Sequence, residues 1–133
     1  MRNSGQQTIL VVENDEPLRR LMVSTLRGMG LSTLEAGSGA EGLAKFHAHQ
    51  PDIDLAIIEL QLPAMSGLDL ASELERQQPG INILYMSALH ESIAMESIAG
   101  LSPERALLKP FNAEDLSRRA RHLLPGFFEH PTR

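Results

Sequence analysis

The chain has 133 residues, no cysteine and no tryptophan, and 17 Asp and Glu against 12 Lys and Arg, for a formal net charge of -5 at pH 7. That length fits a single domain. The missing cysteine excludes a disulfide scaffold or thiolate metal site, and the acid surplus argues against direct nucleic-acid binding, which needs clustered Lys and Arg. Apolar residues at 42% exclude wholesale disorder. No apolar run approaches the roughly 20 residues of a membrane span, and no signal-peptide pattern opens the chain. The expectation is a soluble, cytoplasmic single domain with no membrane partner.

Residues 1–7 (MRNSGQQ) read as a flexible polar leader. Thr8–Val12 (TILVV) is a continuous apolar run, as expected of a strand buried on both faces. Glu16–Gly28 places Leu18, Leu21, Met22, Thr25 and Leu26 at helical spacing, with Pro17 suited to the first turn and Gly28 and Gly30 to the end. Ser32–Ala36 reads as a weak strand. Gly39–His49 reads as a helix with Leu43 and Phe46 inward, stopped by Pro51. Leu55–Glu59 (LAIIE) is a strong strand. Residues 68–78 form a helix carrying Leu70 and Leu74, punctuated by Pro79-Gly80. A strand over 81–87, a helix over 90–100 with Ile93 and Ile98, and a short strand Ala106–Leu108 follow. The helix 112–124 opens with Asn112 and Asp115 at capping-box spacing, and 125–133 is a tail outside the core.

Strands alternating with helices predict an α/β domain with a parallel sheet and right-handed crossovers. Such sheets carry function at the carboxyl ends of their strands. Those ends hold Glu13-Asn14, Glu59, Ser87 and Lys109, so two acids, an amide, a hydroxyl and an amine are expected in one crevice.

Four ordered segments, ILVVENDEPLRRLM, DLAIIELQLPAMSGLDL, ILYMSA and LLKPF, together resemble the receiver domain of two-component response regulators over 8–124. ILYMSA and LLKPFNAEDL also look like receivers attached to hybrid histidine kinases. The resemblance implies a flavodoxin-like (βα)5 fold with strand order 2-1-3-4-5, and a signalling module rather than an enzyme. It implies phosphoryl transfer from a phosphohistidine partner to an aspartate ending the third strand, with Mg²⁺ neutralising charge and a lysine and a hydroxyl holding the phosphoryl group. It also makes Lys109–Pro110 a cis-peptide candidate and Ser87, Ala106, Lys109 and Pro110 the switch positions.

Three positions depart from that pattern. Glu59 stands where the family has Asp, extending the carboxylate by about 1.5 Å, and in-line transfer tolerates misplacement of roughly 1 Å poorly. Asn14 stands where the family has a metal-binding Asp, and hard cations favour carboxylates. Ala106 stands where many members carry a rotating Tyr or Phe. Glu13, Glu59 and Lys109 leave the crevice one net negative charge, where three acids and a lysine leave two. The reading is a receiver independent of aspartyl phosphorylation, with no required cofactor and at most a weakened Mg²⁺ site on Glu13, Asn14 and the Gln61 carbonyl. A histidine kinase or other signalling protein is expected on the face of the last helix and strand, where Arg118, Arg119, Arg121 and His122 gather; that cluster also reads simply as a solvated cationic face, and homodimerisation stays open.

Plainer alternatives stand beside this. Glu13, Asn14 and Asp15 could be only a turn with an N-cap, Glu59 a solvated loop acid, Ser87 a partner for a buried backbone group, and Lys109 a surface cation. A still-phosphorylatable receiver with altered metal use is a second reading. A third is a nucleotide-binding protein, since Gly37, Gly39 and Gly42 spell G-x-G-x-x-G before a helix. The five histidines form no metal spacing.

Overall fold

The computed structural model describes residues 6–88, 93–124 and 126. The start of the leader, residues 89–92 (where the expected fourth helix begins) and the tail apart from Gly126 lie outside the described residues.

The strands are β1 (Thr8–Val12), β2 (Ser32–Ala36), β3 (Leu55–Glu59), β4 (Asn82–Ser87) and β5 (Ala106–Leu108). The helices are α1 (Glu16–Gly28), α2 (Gly39–His49), α3 (Gly67–Gln77), α4 (Ile93–Leu101) and α5 (Ala113–Leu123). The sheet is parallel throughout, in the order β2-β1-β3-β4-β5, the doubly wound topology expected. Pairing to β2 begins just before β1, where the Gln7 carbonyl accepts from the Ser32 N–H.

Both sheet faces are covered, which is why β1 and β3 are uninterrupted apolar runs. Strand alternation sends Ile9, Val11, Leu55 and Ile57 toward Met22, Leu26, Leu116 and Leu123 of α1 and α5. It sends Leu10, Val12, Ala56 and Ile58 toward Phe46, Leu70 and Leu74 of α2 and α3. A smaller cluster of Leu60, Met95 and Ala106 seats α4. Two helix faces differ from the sequence pattern. Leu21 is 56% exposed while Val23 is buried, and Ile93 is 82% exposed while Met95 is buried. In both helices apolar residues surround more of the axis than one face can bury, so packing chose among them. Among the described residues no helix is long and apolar enough to cross a membrane.

Local chemistry sets the boundaries. Asp15 caps α1, accepting from the Leu18 N–H, and Ser66 caps α3, accepting from the Asp69 N–H. Asn112 and Asp115 form the expected capping box, which places Asn112 before α5 rather than in it. Gly30, at φ 90°, ends α1 in the left-handed region that glycine enters at little cost.

Gly67, at the start of α3, is constrained by space. A Cβ there would lie 2.2 Å from the Glu59 carbonyl oxygen and 2.7 Å from the Leu60 Cα. Backbone cannot yield as a flexible side chain does, so α3 starts against the end of β3 only because position 67 has no side chain. Gly67→Ala is expected to lose about 3 kcal/mol or more, at or beyond the usual overpacking cost, read from urea unfolding midpoints. A variant within experimental error of wild type would refute this packing.

Candidate functional site

The register places the carboxyl ends of β1 and β3 side by side. Val12 pairs with Ile58, so Glu13 and Glu59 are next in line on adjacent strands. Both are buried, at 1% and 4% exposure. Two like charges so placed repel strongly unless a cation joins them. Lys109, from the end of β5, is that cation. Its Nζ contacts Glu13 Oε1 at 2.9 Å and also contacts Glu59 Oε1. The backbone reaches there because the Lys109 N–H donates to the Ser87 carbonyl at 3.0 Å. The Lys109–Pro110 peptide is cis.

The other carboxylate oxygens are held by nearby backbone. Glu13 Oε2 accepts from the Asp15 N–H at 3.0 Å, and Glu59 Oε2 accepts from the Gln61 N–H at 2.9 Å. Glu13 Oε1 is buried against the Lys109 ammonium. Asn14 is exposed. Among the described residues the buried Ser87 hydroxyl has no hydrogen-bond partner, so no described backbone group is the one its plainer reading assigns.

Arg19 carries no sequence signal. Its Nη1 donates to the Glu13 carbonyl at 2.8 Å and its Nε to Glu35 at 3.1 Å, which clamps the β1–α1 turn against β2. Only the fold brings Glu35 within reach, so spacing along the chain does not reveal it.

The profile of the response regulator receiver domain matches residues 9–121. The chain belongs to this family. It is 34% identical over 126 residues to the probable transcriptional regulatory protein TcrX of Mycobacterium tuberculosis, covering 92% of this chain and 52% of TcrX. It is 27% identical over 121 residues to the sensor kinase CckA of Brucella abortus, covering 91% of this chain and 13% of CckA. The receiver domain of NtrX from Brucella abortus superposes with a TM-score of 0.77 at 25% identity, covering 87% of this chain and 97% of that one. The chain thus spans about half the length of TcrX.

In this receiver domain Glu13, Glu59 and Lys109 meet directly, Ser87 is joined to Lys109 through backbone, and Asn14 stays at the surface. Asp15 is the helix cap. Ala106 is buried in the cluster with Leu60 and Met95, with Tyr85 packed against it. Tyr85 is the register partner of Ala106 on β4. The sequence pattern does not single it out, yet it is the aromatic ring nearest that position in the sheet.

The glycine-rich loop does not form a phosphate cradle. The Gly37 N–H donates to the Glu41 carboxylate at 2.7 Å, so the chain's own acid occupies that donor. Gly42 serves packing, since a Cβ there would lie 3.0 Å from Val12 Cγ2. Neither Gly37 nor Gly42 thus supports the nucleotide reading.

Burial lowers the Lys109 pKa, but contacts with Glu59 and Glu13 and their charges outweigh it and hold the value above the ordinary 10.5. A raised folded-state value means that the stabilisation is complete below pH 10.5 and is lost as pH rises through the folded value. Tyr85, raised above 10.0 by burial, acts with the same sign. In a Tyr85→Phe background, Lys109→Met should therefore flatten the alkaline decline in stability measured by chemical denaturation. At neutral pH Lys109→Met should cost about 3 kcal/mol, the low end for breaking a buried pair, because the ammonium is 26% exposed. Ser87→Ala should instead be neutral or stabilise by about 1 kcal/mol, since it removes an unpaired buried hydroxyl. A clear loss of stability in Ser87→Ala would show that the hydroxyl has a partner.

Proposed function

We propose that this receiver domain is a signalling and interaction module of a two-component phosphorelay whose working conformation does not depend on aspartyl phosphorylation. The observation that carries the proposal is the state of the Glu59 carboxylate. It stands at the acceptor position, already ion-paired to Lys109 and hydrogen-bonded to the Gln61 N–H. A nucleophile for phosphoryl transfer needs a lone pair aligned with the incoming phosphorus, with cations arranged around the transferred oxygens. Each Glu59 oxygen already has a donor against it, the longer side chain displaces the carboxylate, and Asn14 contributes no charge.

The module spans residues 8–124, with 1–7 as leader and 125–133 as tail, and acts in the cytoplasm through protein contacts rather than as an enzyme. A groove of about 200 Å³ between β5 and α5, lined by Leu107, Leu108, Asp115, Arg118 and Arg119, supports docking of a histidine kinase or another signalling protein on that face. TcrX carries a transcriptional name and CckA a sensor-kinase name, so sequences like this one occur in proteins with different outputs.

The test is an NMR titration with Mg²⁺ and beryllofluoride on wild type and on the double variant Glu59→Asp with Asn14→Asp. Wild type is expected to show no saturable change at Glu59, Ser87 and Lys109, and the double variant is expected to respond. A covalent phosphate on wild-type Glu59 after treatment with a small phosphodonor would overturn the proposal and favour the still-phosphorylatable reading.

A further inference from the structure

Two buried carboxylates at the ends of neighbouring strands invite a cation, and in this family the implied cation is Mg²⁺. The donor set does not fit that ion. Mg²⁺ demands near-octahedral oxygen ligands at about 2.0–2.1 Å. Here Glu13 Oε2 and Glu59 Oε2 carry backbone N–H groups, and Glu13 Oε1 and Glu59 Oε1 both face the Lys109 ammonium. Among the described residues no group of three or more His, Asp or Glu side chains could hold a metal ion. The charge balance points the same way. Two carboxylates and an ammonium leave one negative charge, so a divalent ion would leave the crevice net positive, with the ion beside the ammonium. Glu13 Oε1 is the informative atom. It is buried and has the Lys109 Nζ at 2.9 Å, so the ammonium already stands where a cation would reach it.

We infer that the Lys109 ammonium occupies the place of the divalent cation, so that this receiver is neutralised from within and indifferent to Mg²⁺. Arg19 cannot take that role, because its guanidinium is turned to Glu35 and to the Glu13 carbonyl. Lys109 is therefore a tethered counter-ion, and replacing it with an uncharged residue uncovers a divalent-cation site between Glu13 and Glu59. The inference shares with the proposed function the view of Lys109 and Glu59 as a standing pair, yet the two fail separately. A wild type that accepts phosphate without any divalent ion would sink the proposed function alone. One that binds the ion but refuses phosphate would sink this inference alone.

The experiment is a titration of the full chain with Mn²⁺, following paramagnetic broadening of backbone amides, alongside thermal melts with and without millimolar Mg²⁺. Wild type should show no broadening centred on Glu13, Asn14, Glu59 and Gln61 and no change in melting temperature. Lys109→Met should bind Mn²⁺ at least about tenfold more tightly than wild type, with broadening at those amides and a melting temperature raised by Mg²⁺. Lys109→Gln provides the same comparison if the Met variant does not fold. Lys109→Arg, which keeps the charge, should remain indifferent. Saturable broadening of the crevice amides in wild type would overturn the inference, as would uncharged variants that respond to Mg²⁺ no more than wild type.

Discussion

The Lys109 ammonium between Glu13 and Glu59 is the interaction on which the crevice depends. Parallel pairing of β1 with β3 forces two carboxylates together at the sheet's carboxyl edge. At an effective dielectric near 20, two unit charges 4 Å apart interact by about 4 kcal/mol, so the pair needs an opposite charge. That charge comes from the far end of the chain, on the three-residue strand β5. The strand's shortness is tolerable because its backbone is tied to β4, where the Lys109 N–H meets the Ser87 carbonyl. The same geometry that neutralises the acids also engages Glu59, and on that engagement rests the proposal that the domain works without aspartyl phosphorylation.

The surroundings hold this arrangement in place. Gly67 lets α3 begin against the Glu59 carbonyl, which fixes the end of β3. Arg19 ties the Glu13 carbonyl to β2 through Glu35, which fixes the end of β1. Each acid is thus anchored through backbone by a residue outside the acid–lysine set. Ser87 is the exception, a buried hydroxyl unpaired among the described residues, where Glu59 has other partners.

Much of the fold was legible in the sequence because it rests on local rules. Among the described residues each β-strand and α-helix follows from apolar runs, helical spacing and punctuation by Gly and Pro, and the Asn112–Asp115 capping box appears at its expected spacing. Boundaries moved by a residue or so where a capping side chain sits just outside its helix, as at Asn112. The inward faces of α1 and α4 were less legible. Leu21 and Ile93 are as apolar as Val23 and Met95, and only the neighbouring elements decide which is covered. The glycine pattern at Gly37, Gly39 and Gly42 misled for a related reason, since spacing does not say whether a backbone donor is already occupied by Glu41.

By itself, the sequence determined which residues end the strands: Glu13, Glu59, Ser87 and Lys109. A parallel α/β sheet always brings strand ends to one edge, so their gathering there followed from the element pattern. Only the tertiary structure decided how they divide. Lys109 joins both acids, Ser87 joins neither, Asn14 turns to solvent and Arg19 enters from the first helix. Those outcomes depend on competition among charges and hydrogen bonds over a few ångströms between residues far apart in the chain, and local sequence carries no record of that competition.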